Sequence, residues 1–234
     1  MNDVLKKYSH ELKMPDSFFA RQIFITGGTG YMGCRLIAEL LRRGHKVRAL
    51  ARAGSEHKLP DGCEIILGNA LEKMSYNGKI SPAEVFVHLV GVSHPSPSKA
   101  EQFRKVDLAS MQAAAPAAKA AGIKHFVYVS VAHPAPIMQV YWQTRAECEA
   151  LLRTTGIPAT ILRPWYVLGP GHYWPYLLLP MYWLFEKIPS RREMAQRLGL
   201  VKLEQMLAAL VWAIEHPPQD VRILEVAQIR KMRL

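Results

Sequence analysis

The 234-residue sequence is poor in the residues that hold disulfide-rich or metal-binding domains together. It has three cysteines, Cys34, Cys63 and Cys148, which are too few and too widely separated for a disulfide framework or a zinc site. Its nine histidines include no H-x-x-x-H spacing, so we expect no metal site.

Long apolar segments are absent as well. No run reaches the roughly 18 residues of a membrane-spanning helix, and the N-terminal "MNDVLKKYSHELKM" lacks the apolar centre of a secretory signal. Together with the scarcity of cysteine, this indicates a reducing, cytoplasmic environment. Half of the residues are hydrophobic and 21% are charged, which is typical of a globular domain with a sizeable core.

Acidic residues are fewer than basic residues, 19 against 30, and the formal net charge is +11. This sign is compatible with phosphate-bearing ligands, anionic membranes and nucleic acid. The basic residues are dispersed apart from "SRREMAQR", and no helix-turn-helix, zinc-finger or aromatic RNA-binding signature accompanies them. We therefore expect no nucleic-acid partner, and the oligomeric state stays open.

Short β-branched runs alternate with longer helical patterns along the chain. Predicted strands are "RQIFIT", "HKVRALA", "CEIIL", "VFVHLVG", "HFVYVSV" and "ATILR", separated by three predicted helices that each close on a glycine. Pro116 is expected to bend the second helix. The alternation predicts an α/β, doubly wound parallel-sheet Rossmann fold with right-handed crossovers.

The same pattern suggests a division of the chain. Residues 1–20 are expected to form an N-terminal helical extension and residues 21–165 the dinucleotide-binding core. Residues 166–234 are expected to form a small C-terminal substrate lobe that completes the same domain. This part should contain a helix from about Lys202 to Glu215 and a last strand, "RILEVA".

Four glycines stand in the seven residues that follow the first predicted strand. Gly28, Gly30 and Gly33 fit G-x-G-x-x-G, and Gly27, Gly30 and Gly33 fit G-x-x-G-x-x-G. Such a loop permits a tight turn, close approach of a pyrophosphate and close packing of helix on strand, and the helix N-terminus attracts the anion. The motif predicts dinucleotide binding.

The end of the second predicted strand bears on the choice of dinucleotide. NAD-binding chains carry a carboxylate there for the ribose 2′-hydroxyl, whereas "VRALARAGS" has Arg52 at this point and Lys58 a little later. A guanidinium suits a 2′-phosphate through bidentate charged hydrogen bonds. We expect NADP as cofactor, with NAD as the alternative.

Taken together, the motifs resemble the short-chain dehydrogenase/reductase superfamily in its atypical and extended branches over roughly residues 21–230. "TGGTGYMG" is similar to its T-G-x-T-G-x-x-G loop, "LGNALE" to the segment near the adenine, and "ILRPWYVLGPG" to the segment beside the nicotinamide. Epimerase/dehydratase-like enzymes share the pattern. So do two groups that are not conventional enzymes, nitrogen-regulator-like sensors and a respiratory complex I accessory subunit.

The resemblance implies a set of cofactor contacts distributed over six segments of the chain. These are Gly27, Thr29, Gly30, Tyr31, Met32, Gly33, Arg52, Asn69, Ala70, Leu71, Leu89, Val90, Gly91, Tyr141, Arg145 and Pro164.

The catalytic helix departs from the family pattern. "YWQTR" stands where the family has Y-x-x-x-K, so Tyr141 would be the acid/base and Arg145 replaces the lysine that lowers the pKa of the tyrosine and holds the ribose. Ser130, in "YVSVAHP", would orient the substrate oxygen. Spacing of four puts Tyr141 and Arg145 on one helix face, but arginine cannot relay a proton and has a different shape.

An aromatic stretch, "HYWPYLLLPMYWLFEKIPSRR", follows the segment that resembles the nicotinamide contact. Its position predicts the roof of a pocket for a bulky, apolar substrate, lined by Val131, His172, Tyr173 and Trp174. Residues 173–192 could alternatively meet a membrane interface or a partner chain. A buried core of the lobe is the third interpretation.

Two functions from different classes remain open at this point. The first is an NADP(H)-dependent oxidoreductase that exchanges a hydride with a carbonyl or alcohol of an unknown small molecule. The second is a non-catalytic dinucleotide-binding redox sensor or assembly protein, which the replacement of lysine by Arg145 favours.

Overall fold

The computed structural model describes residues 20–93, 95–170 and 197–234. Seven strands form one parallel sheet in the order β3-β2-β1-β4-β5-β6-β9. They are β1 (Gln22–Thr26), β2 (Lys46–Ala51), β3 (Glu64–Leu67), β4 (Val85–His88), β5 (His125–Val129), β6 (Ala159–Arg163) and β9 (Val221–Glu225). Two further strands, β7 (Tyr166–Leu168) and β8 (Leu200–Lys202), form a small parallel pair beside it.

Helices connect these strands. They are α1 (Tyr31–Arg42), α2 (Ala100–Gln102), α3 (Ala109–Ala120), α4 (Gln139–Arg153), α5 (Leu203–Glu215) and α6 (Val226–Ile229). Short 3₁₀ turns span Glu56–Lys58, Lys73–Ser75, Asn77–Lys79 and Pro97–Lys99. The alternation of strand and helix confirms the predicted doubly wound Rossmann fold.

The strand order reverses at the centre of the sheet. From β1 the chain builds outward through β2 to β3, and it then returns to place β4 on the other side of β1. The loops that follow β1 and β4 therefore diverge, and they leave a crevice at the carboxyl ends of these two strands. Ligands of open α/β sheets bind at such a switch point.

Both faces of the sheet are covered, which explains why the strands read as continuous apolar runs. On one face Ile23 and Ile25 pack with α1 and α5. On the other face Phe24, Phe86 and Phe126 pack with α3 and α4. The rings of Phe86 and Phe126 are stacked with centroids 4.9 Å apart.

The described part of the C-terminal third is built into this core. Strand β9 pairs with β6 as the seventh strand of the main sheet. Helix α5 is buried along most of its length in the same apolar cluster as α1. This helix begins and ends within one residue of its predicted bounds, because its apolar residues recur at helical spacing.

The second predicted helix contains an irregularity that the sequence does not reveal. Between α2 and α3, residues Phe103–Leu108 form a π-helical segment, and α3 then continues through Pro116. A π segment widens the helix by one residue per turn and occurs often at functional sites. Here it carries Asp107, whose side chain is completely buried.

Two predictions of the sequence fall outside the described residues. The N-terminal helical extension lies within residues 1–20, of which only Ala20 is described, and the aromatic stretch falls almost entirely within residues 171–196. Among the residues that the structure covers, no helix combines the length and the apolar character needed to cross a bilayer.

The first prediction concerns the contact between α1 and the loop that precedes it. A Cβ atom on Gly33 would overlap the carbonyl oxygen of Gly27 and the backbone of Gly28, and backbone atoms cannot rotate away as a side chain can. We expect Gly33→Ala to lower the free energy of unfolding by about 1–3 kcal/mol, measured by urea denaturation.

The matched control is Gly78→Ala, because a Cβ at Gly78 meets no atom within 4 Å. This variant should stay within about 0.5 kcal/mol of the wild type. Equal stabilities of the two variants would show that the loop does not need this close approach.

Candidate active site

The loop between β1 and α1 lines the crevice at the switch point. Gly27 has φ +80°, a conformation that disfavours side chains, and a Cβ there would lie 2.8 Å from the backbone carbon of Leu89. The amide of Gly30 donates a hydrogen bond to the carbonyl of Gly27 at 3.1 Å, which closes the turn. The glycines thus bring the backbone after β1 against the backbone after β4.

A cavity of about 370 Å³ opens above this contact, within the range of ligand pockets. Many of the residues predicted from the sequence line it together, although the chain supplies them from five different segments. They are Gly27, Gly30, Tyr31, Met32, Gly33, Leu89, Gly91, Ser130, Val131, Tyr141, Arg145 and Pro164.

Other predicted residues lie away from the cavity wall. Thr29 lies in the loop after β1 and Val90 in the loop after β4, but neither residue lines the cavity. Arg52 follows β2, which pairs directly with β1, and is exposed near the same edge of the sheet. Asn69 is engaged in its own turn, where Oδ1 accepts from the amide of Leu71 at 3.1 Å and Nδ2 donates to Glu72 at 2.7 Å.

Ala70 and Leu71 share that turn, and Leu71 is 39% exposed. The predicted pocket residues His172, Tyr173 and Trp174 fall outside the described residues.

Helix α4 carries Tyr141 and Arg145 one turn apart, and both line the cavity. The ring of Tyr141 packs against Phe103 of the π segment, with centroids 4.8 Å apart. The Arg145 guanidinium carbon lies 5.5 Å from the centre of the Tyr141 ring. Burial raises the pKa of Tyr141, and the Arg145 charge acts in the opposite direction.

Three groups from two elements hold the guanidinium of Arg145, and its side chain is only 8% exposed. Nη2 pairs with Asp107 Oδ1 of the π segment at 2.5 Å. Nη1 donates to the carbonyl of Val129 at 2.9 Å and to the hydroxyl of Tyr128 at 3.2 Å, both on β5. A Cβ atom on Gly91 would overlap Nη2, so this glycine makes room for the guanidinium.

Ser130 is also in the cavity wall, but its hydroxyl is turned to a buried carboxylate. Oγ donates to Glu149 Oε1 at 2.7 Å. Glu149 accepts further hydrogen bonds from His133 and from Arg163, whose Nε and Nη2 lie 2.9 and 2.5 Å from its two oxygens. Burial alone would raise the pKa of Glu149, but the hydrogen bonds from His133, Arg163 and Ser130 outweigh it and lower the pKa to about 2.

The structure adds residues that sequence reasoning did not assign to the site. Val92, Ser93, Pro95, Val129, Trp165, Tyr166 and Val167 complete the cavity wall. Glu149 lies one helical turn after Arg145, so the regular spacing of Tyr141, Arg145 and Glu149 on α4 was a signal in the sequence. Asp107 stands near the position where the family that the sequence resembles often has a helix asparagine, but its approach to Arg145 depends on the π segment.

Two observations fit a nicotinamide dinucleotide in this cavity. The glycine loop, which packs backbone against backbone without Cβ atoms, lines the cavity beside the N-terminus of α1. Arg145 Nε is buried and has no hydrogen-bond partner among the described residues. Among those residues no group of three or more potential metal ligands occurs.

Comparisons with known proteins agree with this arrangement. A family model described as NAD(P)H-binding matches residues 27–170. The solved structure of the Bordetella bronchiseptica enzyme WbmH in complex with NAD+ superimposes with a TM-score of 0.67 at 20% identity, over 88% of this chain and 76% of that one. This likeness shows the fold.

Curated proteins with similar sequences include reductases. A ceramide reductase of Caulobacter vibrioides is 27% identical over 213 residues, which are 89% of this chain and 65% of the relative. A 4-hydroxy-2-methyl-3-oxo-4-farnesyl-3,4-dihydroquinoline-1-oxide ketoreductase of Stigmatella aurantiaca is 27% identical over 168 residues, or 62% and 50% of the two chains. The chain thus spans about half to two thirds of the length of these relatives.

The match of the family model covers more than half of the chain and coincides with the loop, strands and helix that build the cavity. The chain belongs to the NAD(P)H-binding family.

Proposed function

We propose that the protein is an NADP(H)-dependent oxidoreductase that acts on a carbonyl or alcohol of a bulky, apolar substrate. One observation carries this proposal. The glycine loop, Tyr141 and Arg145 line a single cavity at the switch point of the sheet, so a dinucleotide held by the loop and an acid/base on α4 would meet there.

A dinucleotide bound in this cavity would supply the hydride acceptor or donor. Tyr141 would exchange the proton at the substrate oxygen, since it is the titratable hydroxyl on the cavity face of α4. Arg145 would hold a ribose hydroxyl through its unpaired Nε. Ser130 directs its proton to Glu149, so it would orient a substrate hydroxyl as a hydrogen-bond acceptor.

Two arguments support an apolar substrate. Val131, Pro164, Trp165 and Val167 contribute apolar surface to the wall beside Ser130 and Tyr141. The names of two relatives specify reduction of a ceramide and of a farnesylated quinoline, both molecules with long apolar parts.

The second candidate is a dinucleotide-binding sensor or assembly protein without catalysis. The replacement of the family's lysine by Arg145 favours it, because this guanidinium is engaged by Asp107 and β5 and cannot release a proton. A protein of this kind would bind the dinucleotide with no need for the Tyr141 hydroxyl.

The second prediction concerns the choice of dinucleotide. Arg52 is exposed at the end of β2, where a bidentate contact to a 2′-phosphate is expected to contribute about 1.5–3 kcal/mol. NADPH should bind roughly 10- to 100-fold more tightly than NADH, and Arg52→Ala should remove most of this difference. Calorimetric titration of both nucleotides measures it.

The control is Lys119→Ala, which removes an exposed positive charge at the end of α3 and leaves the strand ends unchanged. It should keep the preference for NADPH. Equal affinity of the wild type for both nucleotides would refute the assignment of Arg52.

The third prediction separates the two candidate functions. Tyr141→Phe removes only the hydroxyl, so NADPH should bind as in the wild type while turnover falls by about 10²–10⁴-fold. The assay follows NADPH oxidation with long-chain ketones and with aldehydes and quinones of differing size.

Tyr76→Phe is the matched control, because Tyr76 is a buried tyrosine that packs on the same face of the sheet as α4 but does not line the cavity. It should retain wild-type turnover. Full activity of Tyr141→Phe would assign the proton transfer to another group. Tight binding of NADPH without turnover of any compound would favour the sensor.

A further inference from the structure

We propose that Asp107 is a positioning residue that neutralises Arg145 and so keeps Tyr141 a neutral phenol, which suits the site to carbonyl reduction. The inference rests on the proposed oxidoreductase function and adds to it a direction of reaction and a residue that sets it. It follows from a buried ion pair that lies directly behind the acid/base.

The pair is close and shielded from water. Asp107 Oδ1 lies 2.5 Å from Arg145 Nη2, and the side chains are 0% and 8% exposed. The other carboxylate oxygen, Oδ2, accepts a hydrogen bond from the amide of Val92 at 3.1 Å. Asp107 is therefore fixed between the loop after β4 and helix α4, and it cannot turn away from the guanidinium.

Backbone geometry on both sides brings the two charges together. The π segment carries Asp107 at its fifth residue, and Gly91 leaves the space that Nη2 occupies. The thiol of Cys148 on α4 donates to the carbonyl of Asp107 at 3.7 Å, which holds the π segment against α4. The backbone of the π segment and of the loop after β4 therefore fixes the positions of Asp107 and Arg145.

Among the described residues, the other titratable side chains around the pair are uncharged near neutral pH. Burial, aided by Arg145, lowers the pKa of His88 on β4 to about 3. Burial raises the pKa of Cys148 to about 11, and it raises the pKa values of Tyr128 on β5 and Tyr166 on β7. Burial also raises the pKa of Asp107, and the Arg145 charge and the hydrogen bond from the Val92 amide act against it. In this part of the structure Asp107 is the carboxylate that faces Arg145.

One more ion pair joins the π segment and α4, but it lies at the surface. Arg104 Nη2 is 3.3 Å from Glu147 Oε2, and the side chains are 64% and 47% exposed. Solvent screens charges of this kind. The Arg104–Glu147 pair should therefore have little effect on the pKa of Tyr141, and it provides a control for the buried pair.

The balance of charge decides which protonation state of Tyr141 prevails. An unpaired cation within about 4–6 Å would favour tyrosinate, the base that alcohol oxidation needs. Burial raises the pKa of Tyr141; the charge of Arg145 acts against burial, and the charge of Asp107 acts in the same direction as burial. In reduction a bound, reduced dinucleotide would supply the hydride to the carbonyl carbon. Tyr141 would give its proton to the carbonyl oxygen, and the resulting tyrosinate would regain a proton from solvent.

The fourth prediction is tested by titrating Tyr141 itself. Protein labelled with [¹³Cζ]tyrosine is followed by NMR with rising pH, and the signal is assigned with Tyr141→Phe. Asp107→Asn keeps the shape and removes the charge, so the midpoint of Tyr141 should fall by at least about one pH unit. Arg145→Gln should move it upward.

The double variant Asp107→Asn/Arg145→Gln provides the decisive comparison. The double variant removes both charges, so no unpaired charge is buried and it should fold even if a single variant does not. The titration midpoint of Tyr141 in the double variant should equal that of the wild type. A titration midpoint of Tyr141 well above that of the wild type would show that Asp107 does not offset the charge of Arg145 in the wild-type protein. The proposal would then be wrong. Glu147→Gln should leave the midpoint unchanged.

Kinetics separate this inference from the proposed function. With a substrate in hand, the pH profiles of carbonyl reduction and alcohol oxidation should both move about one unit lower in Asp107→Asn. If the titration midpoints of Tyr141 change as expected but no substrate turns over, the role of Asp107 is supported and the proposed oxidoreductase function is refuted. If turnover occurs and the midpoints do not move, Asp107 has no such role.

Discussion

The burial of one guanidinium is the constraint on which the site depends. Arg145 extends from α4 toward the carboxyl end of β5, where it needs a carboxylate, a carbonyl and a hydroxyl to compensate for lost water. The carboxylate comes from the π segment, and the carbonyl and the hydroxyl come from β5. The loop after β4 must therefore carry a glycine, and the helix before α3 must widen, for the cavity wall to form.

The fold follows from the sequence because its signals are local and repeated. The apolar runs around Ile25 and Val127 are buried on both faces, and a glycine loop between strand and helix has few other structural explanations. The residues of this loop and of α4 could be placed at one cavity for the same reason. In parallel sheets the carboxyl ends of neighbouring strands meet.

The parts that could not be predicted depend on contacts between distant residues. The hydroxyl of Ser130 could be assigned to the cavity, but its bond to Glu149 depends on how α4 packs behind β5. The π segment arises from a register between α3 and α4 that no short motif encodes. Strand β9 was visible as a strand, yet its place beside β6 follows only from the assembled sheet.

The position of α5 and β9 has a consequence for how the protein is made. Helix α5 covers the face of the sheet on which α1 lies, although about 160 residues separate the two helices in the chain. Contacts so distant in sequence pay a large loop-closure entropy before they stabilise the fold. During synthesis this face of α1 and β1 lacks its cover until α5 has left the ribosome. A chaperone that shields such surfaces would have its longest opportunity at this face.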